Sequence, residues 1–209
     1  AVSALVTVAR TVLGTSLMVL TSAFVGYLVT KKAMFGRKVI YRMIVITMYF
    51  NAGLIPWYLN MSMLGLTNNF WGYIIPGILS PFNIILVKTY MESIPAELEE
   101  SATMDGAGYF AVFRNIMLPL SKPILATIAV FGAVGHWNSF TDSIILMLGE
   151  PKLYTLQHRL YIYLNKNSNL GAIMTTGQVD QNMINASLNQ RTISLTVSMI
   201  TIIPILLVY

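Results

Sequence analysis

Five of the eight acidic residues in this chain, Glu92, Glu97, Glu99, Glu100 and Asp105, crowd into one short polar stretch between long apolar runs. Grouped carboxylates invite a catalytic reading, but no buried carboxylate pair, metal constellation or nucleophile–base set accompanies them. The chain has no cysteine, which removes thiolate nucleophiles, thiolate metal sites and disulfides. It also has no Gly-x-x-x-x-Gly-Lys-Ser/Thr loop, so it cannot itself cradle ATP phosphates. The chemistry left for the stretch is recognition: a charged surface where an apolar protein meets something soluble. The plainer alternative is a solvated amphipathic loop.

The stretch carries its own folding signals. Pro95 suits a first helical position, where its missing N–H costs nothing. Glu97, Glu99 and Glu100 then fall at the positive end of the helix dipole. Gly106 is placed to end the helix in a left-handed conformation. A second short helix is expected beyond it, with Tyr109, Phe110, Phe113, Ile116 and Met117 on one apolar face and Pro119 as its stop.

The elements that hold this stretch belong to a membrane. Of 209 residues, 56% are hydrophobic and 10% charged, against about a quarter charged in a soluble domain. Mean hydropathy is +0.67. A bilayer core needs roughly 20 apolar residues per helix. Five runs approach that length, residues 3–30, 39–63, 70–91, 123–148 and 192–209. The third is interrupted by Gly72, Pro76, Gly77 and Pro81, so its freed backbone groups need partners inside the protein. Basic residues set the orientation. Lys31, Lys32, Arg37, Lys38 and Arg42 lie between the first two runs, and Lys88, Arg114 and Lys122 flank the acidic stretch. Both connections are assigned to the cytoplasm, with residues 149–191 on the opposite side. The net charge of +5 is read as this orientation signal and not as a nucleic-acid footprint. The chain opens and closes inside apolar runs, which reads as a piece trimmed from six spans to five.

Polar groups inside the spans are the other candidates. His136, Trp137 and Asn138 fall near the middle of the fourth run, and Asn83 inside the broken third. At that depth they either line an aqueous path or bond across helices to hold the bundle. An aromatic face with amide and imidazole groups would suit a sugar. Asp142, one turn on, is read as a solvated group near the outer interface, and Arg10 is the one charge candidate at the start of the first run. Trp57, Tyr58 and Trp71 fit an interfacial aromatic belt. The thirteen methionines read as adaptable packing and His158 as a lone exposed histidine. Residues 149–191 are too long for a turn. Within them 153–164 suit an interfacial helix, and 175–190 are polar and rich in Asn and Gln.

The sequence Glu100-Ser101-Ala102, then Gly106, then Ile116-Met117-Leu118-Pro119, resembles the cytoplasmic signature loop of permease subunits of bacterial ABC importers. Ser101 departs from the usual Ala, a small-for-small change. Phe50-Asn51-Ala52-Gly53-Leu54-Ile55-Pro56, Pro119-Leu120-Ser121-Lys122-Pro123 and Gly135-His136-Trp137-Asn138-Ser139 resemble the carbohydrate branch, the maltose-type second permease of the group importing oligosaccharides and polysaccharide fragments.

The resemblance implies an all-α integral membrane protein with the helical bundle of a type I importer, a single permease domain over 1–209, placed in the bacterial inner membrane. It implies that 92–119 is a coupling loop docking into a groove of a cytoplasmic ATPase through Glu97, Glu100, Ser101, Ala102, Asp105 and Gly106. The implied partners are a second permease subunit, two ATPase subunits carrying ATP and Mg, an extracytoplasmic solute-binding protein facing 149–191, and a sugar. The chain itself would carry no cofactor and no catalysis, and in such pairs the other permease holds most sugar contacts. The rival class is an ion- or proton-coupled secondary carrier, suited by the broken helix but left with Asp142 as its one deep acidic group.

Overall fold

A computed structural model describes residues 2–174, 192, 195–203 and 206. The expected helical bundle is found, with no strand among the described residues. Its axis is α1 (Val2–Thr30), an uninterrupted 29-residue helix without proline. At 1.5 Å per residue it is about 43 Å long, and it is apolar enough to cross a membrane.

The second apolar run is not one helix. It divides into α2 (Arg37–Tyr49) and α3 (Leu54–Met63). Between them the Asn51 side chain accepts the Gly53 N–H at 2.9 Å, and Gly53, directly before α3, sits at φ +85°, a conformation that favours glycine. The third run breaks where its glycines and prolines predict. Two 3₁₀ turns, Phe70–Tyr73 and Ile75–Gly77, lead into α4 (Pro81–Glu92) at a bend of 44°. Ser80 caps α4 and Pro81 fills its first position.

Past the acidic helix α5 (Glu97–Met104) come α6 (Tyr109–Val112), a π-helical turn over Phe113–Met117, and α7 (Leu118–Leu120). Then α8 (Lys122–Asn138) departs at 76°. The fourth run also breaks, at Ser139, before α9 (Thr141–Leu146). A 3₁₀ turn at Pro151–Leu153 precedes α10 (Leu156–Met174). The polar stretch 175–190 lies outside the described residues; of the fifth run, residues 192, 195–203 and 206 are helical.

Packing is organised around α1, which lies chiefly against α8 and α4. In lipid, apolar surface gives little drive for association, so close backbone approach at small residues matters more. Gly14 and Gly132 supply it. A Cβ on Gly14 would sit 2.6 Å from His136 Nε2, and one on Gly132 would sit 2.5 Å from the Met18 methyl. Two apolar clusters form along the axis. One gathers Tyr27, Val87, Met91, Phe113 and Met117 near the acidic loop. The other gathers Val6, Leu66, Tyr73, Leu146 and Met147 at the far end. By contrast α2 buries no residue and α3 buries only Met61.

Gly14→Val should therefore force the α1–α8 contact apart and lower the thermal unfolding midpoint of the purified protein, with about 1–3 kcal/mol of overpacking. Gly135→Ala, where a Cβ meets nothing within 4 Å, should leave that midpoint unchanged or slightly higher.

Candidate functional site

The acidic loop is built as its sequence predicts, with two differences of detail. Helix α5 starts at Glu97, two residues after Pro95, with Glu97, Glu99 and Glu100 in its first turn. It closes through a pair of bonds, Gly106 N–H to Thr103 O at 3.0 Å and Ala107 N–H to Ala102 O at 2.9 Å, with Gly106 at φ +85°. That is the Schellman closure, which satisfies two otherwise orphaned carbonyls. Pro119 does not stop the second helix. It lies within α7, after a π turn that shifts the register. Phe113 and Met117 face inward together with Val112, while Tyr109 and Phe110, on the first turn of α6, are exposed.

Glu99 does not share the surface role of its neighbours. Its carboxylate pairs with Lys31 at the end of α1, and the Lys31 ammonium lies 4.1 Å from the centre of the Tyr27 ring. Tyr27 Oη–H donates to Tyr109 O at 3.0 Å. These contacts clamp the loop to α1. They leave Glu97, Glu100, Ser101, Asp105 and Gly106 exposed, with Ala102 half-buried behind them. Met104 is 88% exposed on the same short helix. The outward face thus combines exposed carboxylates with the exposed apolar side chains of Leu98 and Met104.

The intramembrane candidates separate into two groups. Asn83 and His136 come together on an open cavity of about 540 Å³ between the two apolar clusters, with Arg10, Trp57, Tyr73 and Asp142 also on its wall. Asn83 is buried and its amide N–H reaches Met18 Sδ at 3.2 Å, a weak acceptor. His136 lies against Gly14 and Gly77. Trp137 and Asn138 are not on this wall. Trp137 Nε1–H donates to Thr201 O at 3.0 Å, and Asn138 Oδ1 accepts from Gln157 at 3.3 Å. Both side chains bond across helices. Trp57 joins the cavity, whereas Tyr58 and Trp71 stay exposed.

Arg10 and Asp142 are the pair that sequence reasoning misjudged. Asp142 is not a solvated interfacial group. It forms an ion pair with Arg10, whose residue is 2% exposed. Arg10 Nη1 also donates to Ser139 O at 3.1 Å, and its guanidinium lies 4.7 Å from the Tyr73 ring centre. The helix break at Ser139 is thus held open by a cation that satisfies the carbonyl there. Asp142 Oδ1 accepts from Ser143 N–H at 2.9 Å and Ser139 Oγ at 3.1 Å. The available signal was Arg10 itself, a charge inside an apolar run, which by cost alone implies a buried partner.

His158 is not exposed either, at 6%. Its Nδ1 lies 2.8 Å from Ser143 Oγ, which is 2.8 Å from Tyr73 Oη, which is 2.7 Å from Leu153 O. The hydrogen inventory closes when His158 Nδ1–H donates to Ser143, Ser143 to Tyr73, and Tyr73 to Leu153. Leu156 N–H donates to Thr7 Oγ1 at 2.9 Å, which ties α10 back onto α1. Burial, with Arg159 beside it, holds the His158 imidazole below its ordinary value of 6.5.

Residues 18–209 match the family model described as "Binding-protein-dependent transport system inner membrane component". Protein LplC of Bacillus subtilis (strain 168) is 36% identical over 95% of this chain and 65% of its own length. The polygalacturonan/rhamnogalacturonan transport system permease protein YtcP of the same organism is 34% identical over 99% of this chain and 70% of its own. The chain therefore spans about two thirds of the length of these relatives. The crystal structure of a bacterial ABC transporter involved in the import of the acidic polysaccharide alginate contains a chain that superposes with a TM-score of 0.81. That chain is 32% identical, and the match covers 100% of this chain and 72% of that one. The bundle is that of a type I importer permease.

Arg10→Met alone should cost about 3 kcal/mol, because it strands a largely enclosed carboxylate, 18% exposed, without its cation. Arg10→Met with Asp142→Leu should recover most of that loss in a double-mutant cycle read by thermal unfolding. Separately, the unfolded chain protonates His158 near 6.5 while the fold resists it, so stability present above 6.5 should fall as the pH drops below it. Unfolding midpoints at pH 7.5 and 5.5 should differ less in His158→Gln than in the unaltered protein.

Proposed function

The chain belongs to the binding-protein-dependent transport system inner membrane components, and from that membership we propose that it is a permease subunit of an ATP-driven importer of oligosaccharides or polysaccharide fragments. Its relatives YtcP and the alginate transporter are named for polysaccharide transport. In this reading it sits in the inner membrane beside a second permease, with two ATPase subunits inside and a solute-binding protein outside. The five apolar runs make five crossings, α2 and α3 together forming the second. Residues 92–119 are cytoplasmic and 149–191 extracytoplasmic.

The observation that carries the proposal is the outward face of the acidic loop. Glu97, Glu100 and Asp105 stand exposed without an ion pair among the described residues, beside exposed Met104. The Lys31–Glu99 pair and the Tyr27–Tyr109 bond fix that face to α1. A partner gripping it pulls on the bundle axis. Ala102 and Gly106 keep the helix end low enough for close approach, and Glu100 pairs with a cation in the partner's groove. ATP binding closes the ATPase pair, moves the loop, and biases the bundle between inward and outward access. The cavity bearing Asn83 and His136 is this subunit's share of the path; Trp137 and Asn138 brace its outer wall. No chemistry on sugar or nucleotide occurs in this chain.

The rival reading, an ion- or proton-coupled carrier, needs a carboxylate free to exchange its charge. Asp142 is committed to Arg10, Ser139 and the Ser143 N–H, which favours the ATP-driven reading.

Glu100→Lys and Gly106→Pro should each abolish ATP-dependent uptake in proteoliposomes while the subunits still co-purify. Glu99→Gln should act differently, loosening the loop from α1 and weakening coupling without abolishing assembly. Normal uptake by Glu100→Lys and Gly106→Pro sinks the docking role.

A further inference from the structure

We propose that the concavity between the end of α1, the start of α2, and α4 binds the phosphodiester headgroup of an anionic phospholipid. The proposal rests on the reading that α1 crosses a bilayer with the acidic loop in the cytoplasm. The concavity has a volume of about 730 Å³, and Lys32, Arg37, Lys38 and Lys88 line it. Arg37 and Lys88 both pair with Glu92, at 3.5 and 2.8 Å. One carboxylate against four cations leaves an excess of three positive charges.

The cations are arranged for an external anion. Arg37 Nε donates to Val29 O at 2.6 Å, which anchors the guanidinium. Lys88 is steadied 4.6 Å from the centre of the Tyr41 ring. Lys32 and Lys38 are exposed and make no ion pair among the described residues. Like charges gathered in one hollow repel one another unless an anion joins them.

The apolar surroundings identify a lipid rather than a free phosphate. Val29, Met34 and Val39 complete the wall. From Val39 an exposed stripe continues along α2 through Met43 and Ile46, on a helix that buries no residue. A headgroup seated between Lys32 and Lys38 would lay its acyl chains along that stripe. Basic hollows between helices at the cytoplasmic face suit anionic headgroups on charge grounds alone.

The test uses the assembled transporter in nanodiscs of phosphatidylcholine titrated with phosphatidylglycerol, retained lipid being counted by native mass spectrometry. Lys32→Ala with Lys38→Ala should bind phosphatidylglycerol roughly tenfold more weakly. Lys32→Arg with Lys38→Arg should retain it, as should Arg114→Ala with Lys122→Ala, which removes two exposed cations elsewhere. Inorganic phosphate should not displace the lipid. Equal retention by the alanine pair, equal retention of phosphatidylcholine, or displacement by inorganic phosphate overturns the site. Subunit co-purification verifies that each variant folds. If Glu100→Lys still blocks uptake while lipid retention ignores Lys32 and Lys38, the lipid site alone fails. If Glu100→Lys transports normally, the underlying reading fails first.

Discussion

A single guanidinium holds the far end of this bundle together. Arg10 projects from α1 into a place where an unpaired charge is intolerable, and three groups answer it: the Asp142 carboxylate, the Ser139 carbonyl and the Tyr73 ring. They come from two breaks in regular structure, two of them from the same one. Ser139 ends α8, Asp142 begins α9, and Tyr73 lies in the 3₁₀ entry to α4. An interrupted helix in an apolar medium must find internal partners for its loose carbonyls. Here one cation serves that need for the fourth run, while the Tyr73–Ser143–His158 chain joins the third run to α10.

The same economy shapes the opposite end. Lys31 is tied to Glu99 and stacked on Tyr27, and Tyr27 reaches the backbone of α6. The two ends differ in what they leave outside. At the far end Arg10, Ser143 and His158 are buried among polar partners. At the loop end only Glu99 and Glu92 among the clustered acids pair inward, and the rest face solvent. A surface retained in that condition is consistent with a role in meeting another molecule. Between the ends the cavity at Asn83 and His136 exists because the two apolar clusters do not merge along α1.

Features signalled by residue type were legible in the sequence. The helix of glutamates, its Gly106 closure and the broken third run all follow from proline, glycine and charge placed at known positions. Features that depend on a distant partner were not. The break at Ser139 carries no proline or glycine at the site; it is bought by Arg10, far away in the chain. Burial of His158 depends on Ser143 and Tyr73. Tyr109 and Phe110 are exposed at the first turn of α6, and an apolar repeat does not reveal where along a helix its contact with the bundle begins. The second run is continuous by hydropathy although Asn51 and Gly53 stand at its centre. Hydropathy averages over such a kink, and the local Asn51–Gly53 bond does not.

The two ends of α1 are joined by one continuous helix. Arg10 stands near the start of α1 and Lys31 directly follows its last residue, about 32 Å away by the helical rise, with no proline between them. Each is cross-braced to a different neighbour. Without a proline hinge between the braces, a rotation of α1 at one of them is carried through the hydrogen-bonded turns toward the other.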